Sequence, residues 1–527
     1  MSGYATPTSQ PLVRPASVIL AGSMATYKHL TFLPSSPACR GWIGLAPLAL
    51  LILVSAVVHA EEAGPADQWT MFRGPNGAGQ LSSSELPERF GPDVNVAWSR
   101  DLPTGHSSPV LYGDRIFLTG VEGDQLLVLA LSRDDGRELW RREVPRPRRE
   151  AIDPRSGPAA ATPVVSADRV VTFFGDFGLL AHDHEGEELW RLPLGPFNNI
   201  YGTGSSPLLF DDRVFLCIDQ QRDSFLIAVD AKTGEQIWRT DRPEAKSGHS
   251  TPIIWTPEGN QEAQLLVTGS FLLTAYDPED GRKIWWVGGL PFEMKSTPVI
   301  GSDLLFIHGY GSPYNDAGRD VAVPAWERAR EADADGDGRL AASEITHPVA
   351  KEWLDFVDLD GDKHLDAEDW SYLKAALASR NSMMAIRLPG ALAKGDLSEE
   401  HVVWQAFRRV PQLPSPLLAA GTLWMVNDRG LTTVFDPPSG QILAQGRIDG
   451  LVDSIYASPI SAGDRVFVIG RSGKIAELSS ERARRGDLTP LFVTDLDETI
   501  VATPALDERS MYVRTRSRLL AFRANNP

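Results

Sequence analysis

Acidic side chains at two-residue spacing are the clearest chemical signal in this 527-residue sequence. In one twelve-residue run, the acids at positions one, three, five and twelve are Asp333, Asp335, Asp337 and Glu344. A hard divalent cation takes about six to eight oxygen ligands, which a short loop supplies by winding around the ion. With the Arg339 carbonyl as a further ligand, the run predicts a Ca²⁺ site; the alternative is a solvated acidic turn.

A second acidic run begins 25 residues after the first. Its candidate metal ligands are Asp358, Asp360, Asp362, His364, Asp366 and Asp369. Lys363 replaces the glycine that the tight turn usually requires, and Asp369 is one methylene shorter than the usual bidentate glutamate. We therefore expect lower affinity or more Mg²⁺-like coordination in this run.

Both runs resemble the loops of EF-hand modules. Apolar residues at helical spacing, such as Trp370 and Leu373, predict short helices on which the loops pack. Leu340 and Leu365 stand at equivalent loop positions and would pair the two loops back to back. We expect a compact α-helical EF-hand pair at residues 316–380, similar to extracellular modules and placed over one side of a funnel mouth.

The larger organisation follows from a Ser-Pro or Thr-Pro pair that opens an apolar run eight times. The prolines of these pairs are Pro109, Pro163, Pro207, Pro252, Pro298, Pro416, Pro459 and Pro504. Most intervals are near 45 residues, and the one of 118 contains both acidic runs. Such a period is typical of a four-stranded propeller blade. The sequence predicts an all-β, eight-bladed β-propeller of four-stranded antiparallel blades, with the helical insertion in blade 5.

A glycine followed four residues later by tryptophan marks the outer strand of several blades. The pairs are Gly136/Trp140, Gly186/Trp190, Gly234/Trp238 and Gly281/Trp285. Glycine supplies the positive φ of a turn, and the indole fills the wedge between neighbouring blades. In blade 6 the tryptophan is replaced by Ala444, and blades 5 and 7 lack the pattern, so we expect these blades to be loose.

The pattern A-x-D-x-x-x-G-x-x-x-W resembles the tryptophan-docking motif of the PQQ-repeat propellers. That family includes quinoprotein alcohol and glucose dehydrogenases and BamB, the propeller subunit of the outer-membrane barrel assembly machine. The resemblance covers residues 94–315 and 381–523, and it implies the propeller fold.

The two ends of the repeat region fit together as one blade. The last repeat supplies only three strands, whereas residues 94–102, which include Trp98, precede the first repeat and have no blade of their own. We expect them to complete blade 8 and close the ring. The predicted domains are a signal peptide (1–60), an N-terminal strap across the outside (61–93), blades 1 to 5 (94–315), the EF-hand insertion (316–380) and blades 5 to 8 (381–527).

The first 60 residues contain bases but no acid and end in an apolar run, 42–58, followed by a small residue, Ala60. This pattern predicts a signal peptide cleaved after Ala60, with Met24 as an alternative start. An uncleaved anchor helix is the other interpretation. Cleavage would leave a periplasmic or secreted protein with no membrane span, and Glu61 at the new terminus excludes the cysteine that lipidation needs.

Charge and cysteine content restrict the partners. Loss of three bases with the leader changes the net charge from −18 to −21, which disfavours nucleic acid and anionic lipid. Only Cys217 remains after cleavage, so no disulfide can form within the mature chain. We expect a monomer.

Three positions before the repeat prolines, the expected funnel rim carries His106, His249, Lys295 and Tyr456. By resemblance, quinoproteins hold their cofactor in this region. The four side chains could bind an anionic ligand, or they could simply line a solvated mouth.

The resemblance also implies what a quinoprotein enzyme would need: adjacent cysteines, a calcium held by rim side chains and an aspartate base. The sequence shows no adjacent cysteines and no acidic cluster at the rim, so no catalytic residue is assigned. We expect a non-catalytic, calcium-binding scaffold outside the cytoplasm for a protein or polysaccharide partner. The alternative is a divergent PQQ-dependent alcohol or sugar dehydrogenase, with PQQ as its cofactor.

Overall fold

The computed structural model of this protein describes residues 68–257 and 262–524. The expected signal peptide and the alternative start at Met24 lie outside the described residues. Within them, eight four-stranded antiparallel units succeed one another, and two of these gain a fifth, parallel strand. The predicted eight-bladed all-β propeller is confirmed.

The strands follow the repeats in chain order. Before the first blade lie β1 (Gln80–Leu81) and β2 (Val96–Asp101). Blade 1 contains β3 (Val110–Tyr112), β4 (Arg115–Glu122), β5 (Gln125–Ser132) and β6 (Glu138–Val144). Blade 2 contains β7 (Val164–Val165), β8 (Val170–Phe174), β9 (Gly178–His182) and β10 (Glu188–Pro193). Blade 3 contains β11 (Leu208–Phe210), β12 (Arg213–Ile218), β13 (Phe225–Asp230) and β14 (Gln236–Asp241). Blade 4 contains β15 (Ile253–Trp255), β16 (Gln264–Gly269), β17 (Leu272–Tyr276) and β18 (Lys283–Gly288).

Blade 5 is interrupted after its second strand. It starts with β19 (Val299–Gly301) and β20 (Leu304–Gly309). The inserted elements are α1 (Trp326–Ala329), β21 (Leu340–Ala341), α2 (Pro348–Glu352), α3 (Leu354–Val357), β22 (His364–Leu365) and α4 (Ala367–Ala378). The blade resumes with β23 (Ser382–Arg387), and β24 (Gly395–Asp396) and α5 (Ser398–His401) precede its last strand, β25 (Val402–Ala406). The short β24 runs parallel to β18 of blade 4.

The remaining blades complete the ring. Blade 6 contains β26 (Leu417–Ala419), β27 (Thr422–Val426), β28 (Leu431–Phe435) and β29 (Ile442–Arg447). Blade 7 contains β30 (Ile460–Ala462), β31 (Arg465–Ile469), β32 (Lys474–Ser479) and β33 (Phe492–Asp495), with α6 (Ser480–Arg484) after β32. Blade 8 contains β34 (Ala505–Leu506), β35 (Ser510–Arg514) and β36 (Arg518–Arg523), and β2 pairs with β36 as its outer strand. The predicted ring closure by the N-terminal strand is therefore confirmed.

Blade stacking explains the burial of the strands. The middle strands are buried on both faces, as in β12 and β13, because each blade lies between two neighbours. The outer strand β14 is instead mostly exposed, and its one buried residue is Trp238. Short β-rich runs therefore serve as core, while the outer strands carry the polar residues that face water.

Five docking tryptophans join their blade to the next one, whereas Trp285 of blade 4, which the sequence pattern also predicted to dock, donates to Gln264 of its own blade at 2.7 Å. Five indole Nε1 groups donate to a carbonyl of the following blade: Trp98 to Arg133, Trp140 to His184, Trp190 to Ala231, Trp238 to Pro278 and Trp404 to Pro437. The rings cover the turn glycines of that blade so closely that a Cβ there would lie 2.4–2.7 Å from the indole. Small size and positive φ together explain why these turn positions carry glycine.

Trp404 corrects the expectation for blade 5. The sequence pattern assigned no docking tryptophan to this blade, yet Trp404 on β25 covers Gly440 of blade 6. The third and fourth strands of blade 5 are joined by a long connection containing β24 and α5, which removes the regular glycine-to-tryptophan spacing. Blade 5 is therefore docked to blade 6 in the same way as the regular blades.

The N-terminal segment lies at the axis rather than across the outside. The carbonyls of Trp69 and Thr70 accept hydrogen bonds from Leu111 and Val165, on the innermost strands of blades 1 and 2. Strand β1 runs parallel to the innermost strand of blade 7, β30. Inner strands expose backbone donors at the axis, and this segment satisfies them. Only its later part leaves the axis, where Phe90 packs against rings of blades 7 and 8.

The insertion forms a small helical unit with its own apolar core. Its two acidic loops are joined by β21 and β22, in which Leu340 pairs with Leu365. The unit packs on loops of blade 4 through ring contacts of Phe271 and Phe292. These loops lie on the rim from which the chain enters the innermost strands. No helix among residues 68–257 and 262–524 is long and apolar enough to cross a membrane.

Candidate functional site

A chain of hydroxyl groups surrounds the propeller axis. The backbone N–H of the Ser or Thr before a repeat proline donates to the hydroxyl of its counterpart in the next blade. Six such bonds measure 2.9–3.2 Å: Ser108 to Thr162, Thr162 to Ser206, Ser206 to Thr251, Thr297 to Ser415, Ser415 to Ser458, and Ser458 to Thr503. The Ser-Pro and Thr-Pro pairs predicted the number of blades, but the role of their hydroxyl groups in linking neighbouring blades was not predicted, although a hydroxyl residue precedes every repeat proline.

Next to this ring of hydroxyl groups, the funnel of the propeller contains a cavity of about 320 Å³, which we call the cup. It is lined by all eight residues that stand three positions before a repeat proline: His106, Ala160, Gly204, His249, Lys295, Leu413, Tyr456 and Val501. The four sequence candidates are thus brought together. Phe72 of the N-terminal segment also lines the cup, and its neighbour Arg73 is fully buried and donates to the Pro416 carbonyl at 2.7 Å. The N-terminal segment therefore contributes to the cup and packs against the axis beside it.

Two histidines of the cup are held in the neutral form. Burial, followed by the charges of Arg514 and neighbouring arginines, lowers the pKa of His106 to about 4. Burial, followed by the charge of Lys295, lowers the pKa of His249 to about 3. Both imidazoles are uncharged at neutral pH, and the Nε2 atom of His249 is buried without a hydrogen-bond partner among the described residues. The wall of the cup thus contains a neutral imidazole with an unpaired polar atom beneath its surface.

Three further cup residues were missed by the sequence analysis. Asp153 and Arg155 form an ion pair at 2.8 Å, and hydrogen bonding from Arg155 lowers the pKa of Asp153 to about 2. Tyr201 contacts the His249 ring, and burial raises the pKa of its phenol to about 12. All three lie in the connections that enter blades 2 and 3, outside the regular repeat, so their position could not be read from its register.

Lys295 and Tyr456 are also held by neighbours. The ammonium group of Lys295 is paired with Glu293, whose other carboxylate oxygen accepts from Ser247 at 3.1 Å. The guanidinium of Arg471 lies 5.2 Å from the centroid of the Tyr456 ring. The wall of the cup therefore consists of fixed aromatic, neutral and ion-paired groups.

The two acidic loops of the insertion share one hydrogen-bond pattern at their first position. In the first loop, Asp333 accepts from the N–H groups of Gly336 and Gly338 at 2.8 and 2.9 Å. In the second loop, Asp358 accepts from Gly361 and Lys363 at the same two distances.

The carboxylate at the last position of each loop also accepts hydrogen bonds from two backbone N–H groups of its own loop. Glu344 accepts from the N–H groups of Ala334 and Ala341, both at 2.8 Å. Asp369 accepts from those of Leu359 and Asp366, both at 3.0 Å. The shorter aspartate therefore reaches both equivalent partners.

Lys363 adopts the conformation of the glycine that it replaces. Its φ is +69°, and Gly338 at the same position of the first loop has φ +85°. A non-glycine residue in this region is strained by roughly 1–3 kcal/mol and is retained only where its surroundings fix it. Here the N–H of Lys363 is held by Asp358.

The structure brings together only some of the predicted metal ligands. The side-chain oxygens of Asp333, Asp335 and Asp337 lie within 4.8 Å of one another, and so do those of Asp358, Asp360 and Asp362. Asp366 instead caps helix α4, accepting from Glu368 at 2.7 Å. The Nδ1 atom of His364 is 2.9 Å from the Asp362 carbonyl. The Arg339 guanidinium pairs with Asp362, which links the two loops.

The repeat region matches a known protein family. The family described as outer membrane protein assembly factor BamB matches residues 92–177, 175–312 and 372–526. The chain belongs to this PQQ-repeat propeller family. The resemblance inferred from the tryptophan pattern is thereby confirmed.

Individual relatives are distant. The polyvinylalcohol dehydrogenase of Sphingopyxis sp. (strain 113P3) is 24% identical over 255 residues, which cover 42% of this chain and 38% of that protein. The quinohemoprotein alcohol dehydrogenase of Comamonas testosteroni has a TM-score of 0.51 at 12% identity, covering 89% of this chain and 82% of that one. BamB of Moraxella catarrhalis has a TM-score of 0.49 at 10% identity, covering 81% and 98%. At this identity the dehydrogenase structure shows a shared fold alone.

The cup residues do not fit the cofactor that some members of this PQQ-repeat family use. The resemblance implies adjacent cysteines and a rim calcium, but Cys217 is buried on β12 and its thiol lies 3.5 Å from Asp219. Among the residues lining the cup, Asp153 is the only acid, and Arg155 already pairs with it. A quinone with its calcium would therefore lack both its stacking partner and its anionic ligands at this site.

Proposed function

We propose that this PQQ-repeat propeller is a non-catalytic, calcium-binding protein outside the cytoplasm that binds a protein or polysaccharide partner at its cup. The observation that carries the proposal is the make-up of the cup wall, in which Asp153 is the only acid among the lining residues and is already paired with Arg155. The directions of the pKa shifts agree with it. A general acid or base works best with a pKa near the working pH. The pKa values of His106, His249, Asp153 and Tyr201 all move away from neutrality, to about 4, 3, 2 and 12.

The same groups suit recognition. A neutral imidazole offers one donor and one acceptor, and aromatic rings such as Phe72, Tyr201 and Tyr456 present flat apolar surface beside them. Groups already fixed by neighbours lose little conformational entropy when a partner binds. The cup is therefore suited to a chain end, a loop or a sugar unit of a larger partner.

The donor chemistry of the insertion supports calcium. Each loop places three aspartates together and holds its last carboxylate with the N–H groups of its second and ninth residues. The residues that would hold the ion are Asp333, Asp335, Asp337, Glu344 and the Arg339 carbonyl in the first loop, and Asp358, Asp360, Asp362 and Asp369 in the second. Bound calcium would supply charge neutralisation and order to the helices that flank the loops.

Site-directed photocrosslinking tests partner binding. A photoreactive amino acid replaces Tyr201 in the cup or Lys232 on an exposed turn of blade 3, and each full-length variant is expressed with its leader in a bacterial host. We expect a partner band from position 201 that disappears when His249→Ala is added, and no such band from position 232. Equal crosslinking from both positions would contradict a partner site in the cup.

A divergent PQQ-dependent alcohol or sugar dehydrogenase is the second candidate. The observation that favours it is the 24% identity to a protein named polyvinylalcohol dehydrogenase over 255 residues. Substrate oxidation that requires added PQQ would support this candidate over the scaffold.

A further inference from the structure

The helical insertion holds a loop that forms part of the cup wall. Phe292 lies in the connection between β18 and β19, and its ring centroid is 5.5 Å from that of Trp353 and 5.3 Å from that of Phe356. Phe292 is itself buried. The side chain of Phe292 thus packs among aromatic side chains of the insertion, and such aromatic pairs stabilise the contact.

The residues that follow Phe292 reach the cup directly. The next residue, Glu293, pairs with Lys295, which lines the cup. The carbonyl of Met294 accepts the backbone N–H of His249 at 2.8 Å. The position of residues 292–295 therefore determines the position of two of the four candidate cup residues.

A second connection ties the same loop to the insertion. The N–H of Phe271 donates to the Pro291 carbonyl at 3.0 Å, and the N–H of Leu290 donates to the Phe271 carbonyl at 3.2 Å. The Phe271 ring lies 6.1 Å from the ring of Tyr372 on helix α4. The loop is thus attached to the insertion directly at Phe292 and, through Phe271, at the two residues before it.

Phe356 and Tyr372, whose rings contact Phe292 and Phe271, lie close in sequence to the second acidic loop. Phe356 on α3 is two residues before Asp358, and Tyr372 on α4 is three residues after Asp369. Asp358 and Asp369 are the first and last carboxylates of that loop, and both accept its backbone N–H groups. An ion that orders this loop must therefore order the two helices that hold residues 289–296.

We infer that calcium in the insertion and the partner site in the cup are coupled through Phe292. The inference rests on the calcium binding proposed above and adds the regulation of the cup. Calcium orders α3 and α4, these helices fix Phe292, and residues 293–295 then hold Lys295 and the His249 backbone in place. Coupling of two sites is reciprocal, so a partner bound in the cup raises calcium affinity by the same factor.

Hydrogen–deuterium exchange of the full mature chain tests the coupling without a known partner. Exchange is measured with Ca²⁺ at about ten times Kd and with a chelator. An ion that binds only the ordered state at this concentration favours that state about elevenfold. We expect exchange to slow by up to about tenfold in the loops at 333–344 and 358–369, and also at the amides of Leu290 and His249.

Two variants locate the coupling. Phe292→Ala should keep the calcium effect on the acidic loops and lose it at the amides of Leu290 and His249, whereas the conservative Phe292→Leu should retain part of it. Phe197→Ala is the matched control, because Phe197 lies in the corresponding connection between β10 and β11 and contacts Phe173. This control should keep the full effect at both amides.

The outcomes separate the two hypotheses. Slower exchange in the acidic loops with unchanged exchange at Leu290 and His249 would overturn the coupling and leave calcium binding standing. The same applies if Phe292→Ala retains the full effect at both amides. Unchanged exchange everywhere, including the acidic loops, would refute calcium binding and the coupling that rests on it.

Discussion

Docking of a tryptophan on the glycine of the next blade is expected to be a major source of stability. Trp238 is 9% exposed, its Nε1 donates to the Pro278 carbonyl at 3.0 Å, and its ring lies over Gly281. Truncation of a buried aromatic side chain costs about 3–5 kcal/mol through lost burial and the cavity left behind. We expect Trp238→Ala to destabilise the protein by this amount.

Substitution of Gly281, the glycine under the Trp238 ring, tests whether the two residues stabilise the protein together. A Cβ at Gly281 would lie 2.5 Å from the Trp238 ring, and the glycine has φ +72°. Gly281→Ala should therefore cost about 1 kcal/mol in backbone conformation and a further 1–3 kcal/mol from overpacking. The part of the overpacking that comes from the indole should vanish in the Trp238→Ala background, which gives a coupling energy of up to about 3 kcal/mol. The part that comes from the Thr240 hydroxyl, which would lie 2.5 Å from the same Cβ, should remain.

Denaturant unfolding of the four chains of this cycle, followed by circular dichroism, gives the coupling energy. Ile237→Ala is the control, because this neighbour on β14 is exposed and should change stability by less than about 0.5 kcal/mol. Additive effects of the two substitutions, or a Trp238→Ala midpoint equal to that of the control, would refute the docking argument.

Three further outcomes are expected. Glu344→Ala should weaken Ca²⁺ binding in isothermal titration calorimetry more than Asp369→Ala, and equal losses would contradict the ranking of the two loops. The pKa of His106 in the folded protein is about 4, below the ordinary value of 6.5. The contribution of neutral His106 to the free energy of unfolding is therefore complete above pH 6.5 and is lost as the pH falls toward 4. In urea unfolding across this range, His106→Gln should reduce the loss of stability by up to about 3 kcal/mol, and the remaining loss should come from other buried histidines such as His249. An unchanged pH profile in the variant would refute the assignment. N-terminal sequencing of exported protein should begin at Glu61, and an intact leader on membrane-bound protein would show an anchor instead.

The parts of the fold that repeat could be predicted from the sequence. The spacing of the Ser-Pro and Thr-Pro pairs gave the blade count, and Trp98 ahead of the first repeat indicated ring closure. Both signals are local patterns that a repeat copies many times. Trp404 was missed because a long connection separates it from the rest of its blade and removes the regular spacing.

The parts that depend on single long-range contacts could not be predicted. Nothing in the sequence around Trp69 and Arg73 shows that this segment satisfies backbone donors at the axis instead of crossing the outside. The same limit applies to Asp153 and Tyr201, which reach the cup from irregular connections. The repeat register did place His106, His249, Lys295 and Tyr456 around one cup, because equivalent positions of a closed ring must face its axis. Calcium binding, the partner and the leader stay predictions.

We expect the cup to bind a partner and not to catalyse quinone-dependent oxidation. Dye reduction by the purified mature protein, supplied with PQQ and Ca²⁺ and a panel of alcohols and sugars, tests it most directly. We expect the same rate of dye reduction with and without PQQ. Substrate-dependent dye reduction that disappears when PQQ is omitted, and that His249→Ala abolishes, would contradict it and identify the protein as a quinoprotein dehydrogenase.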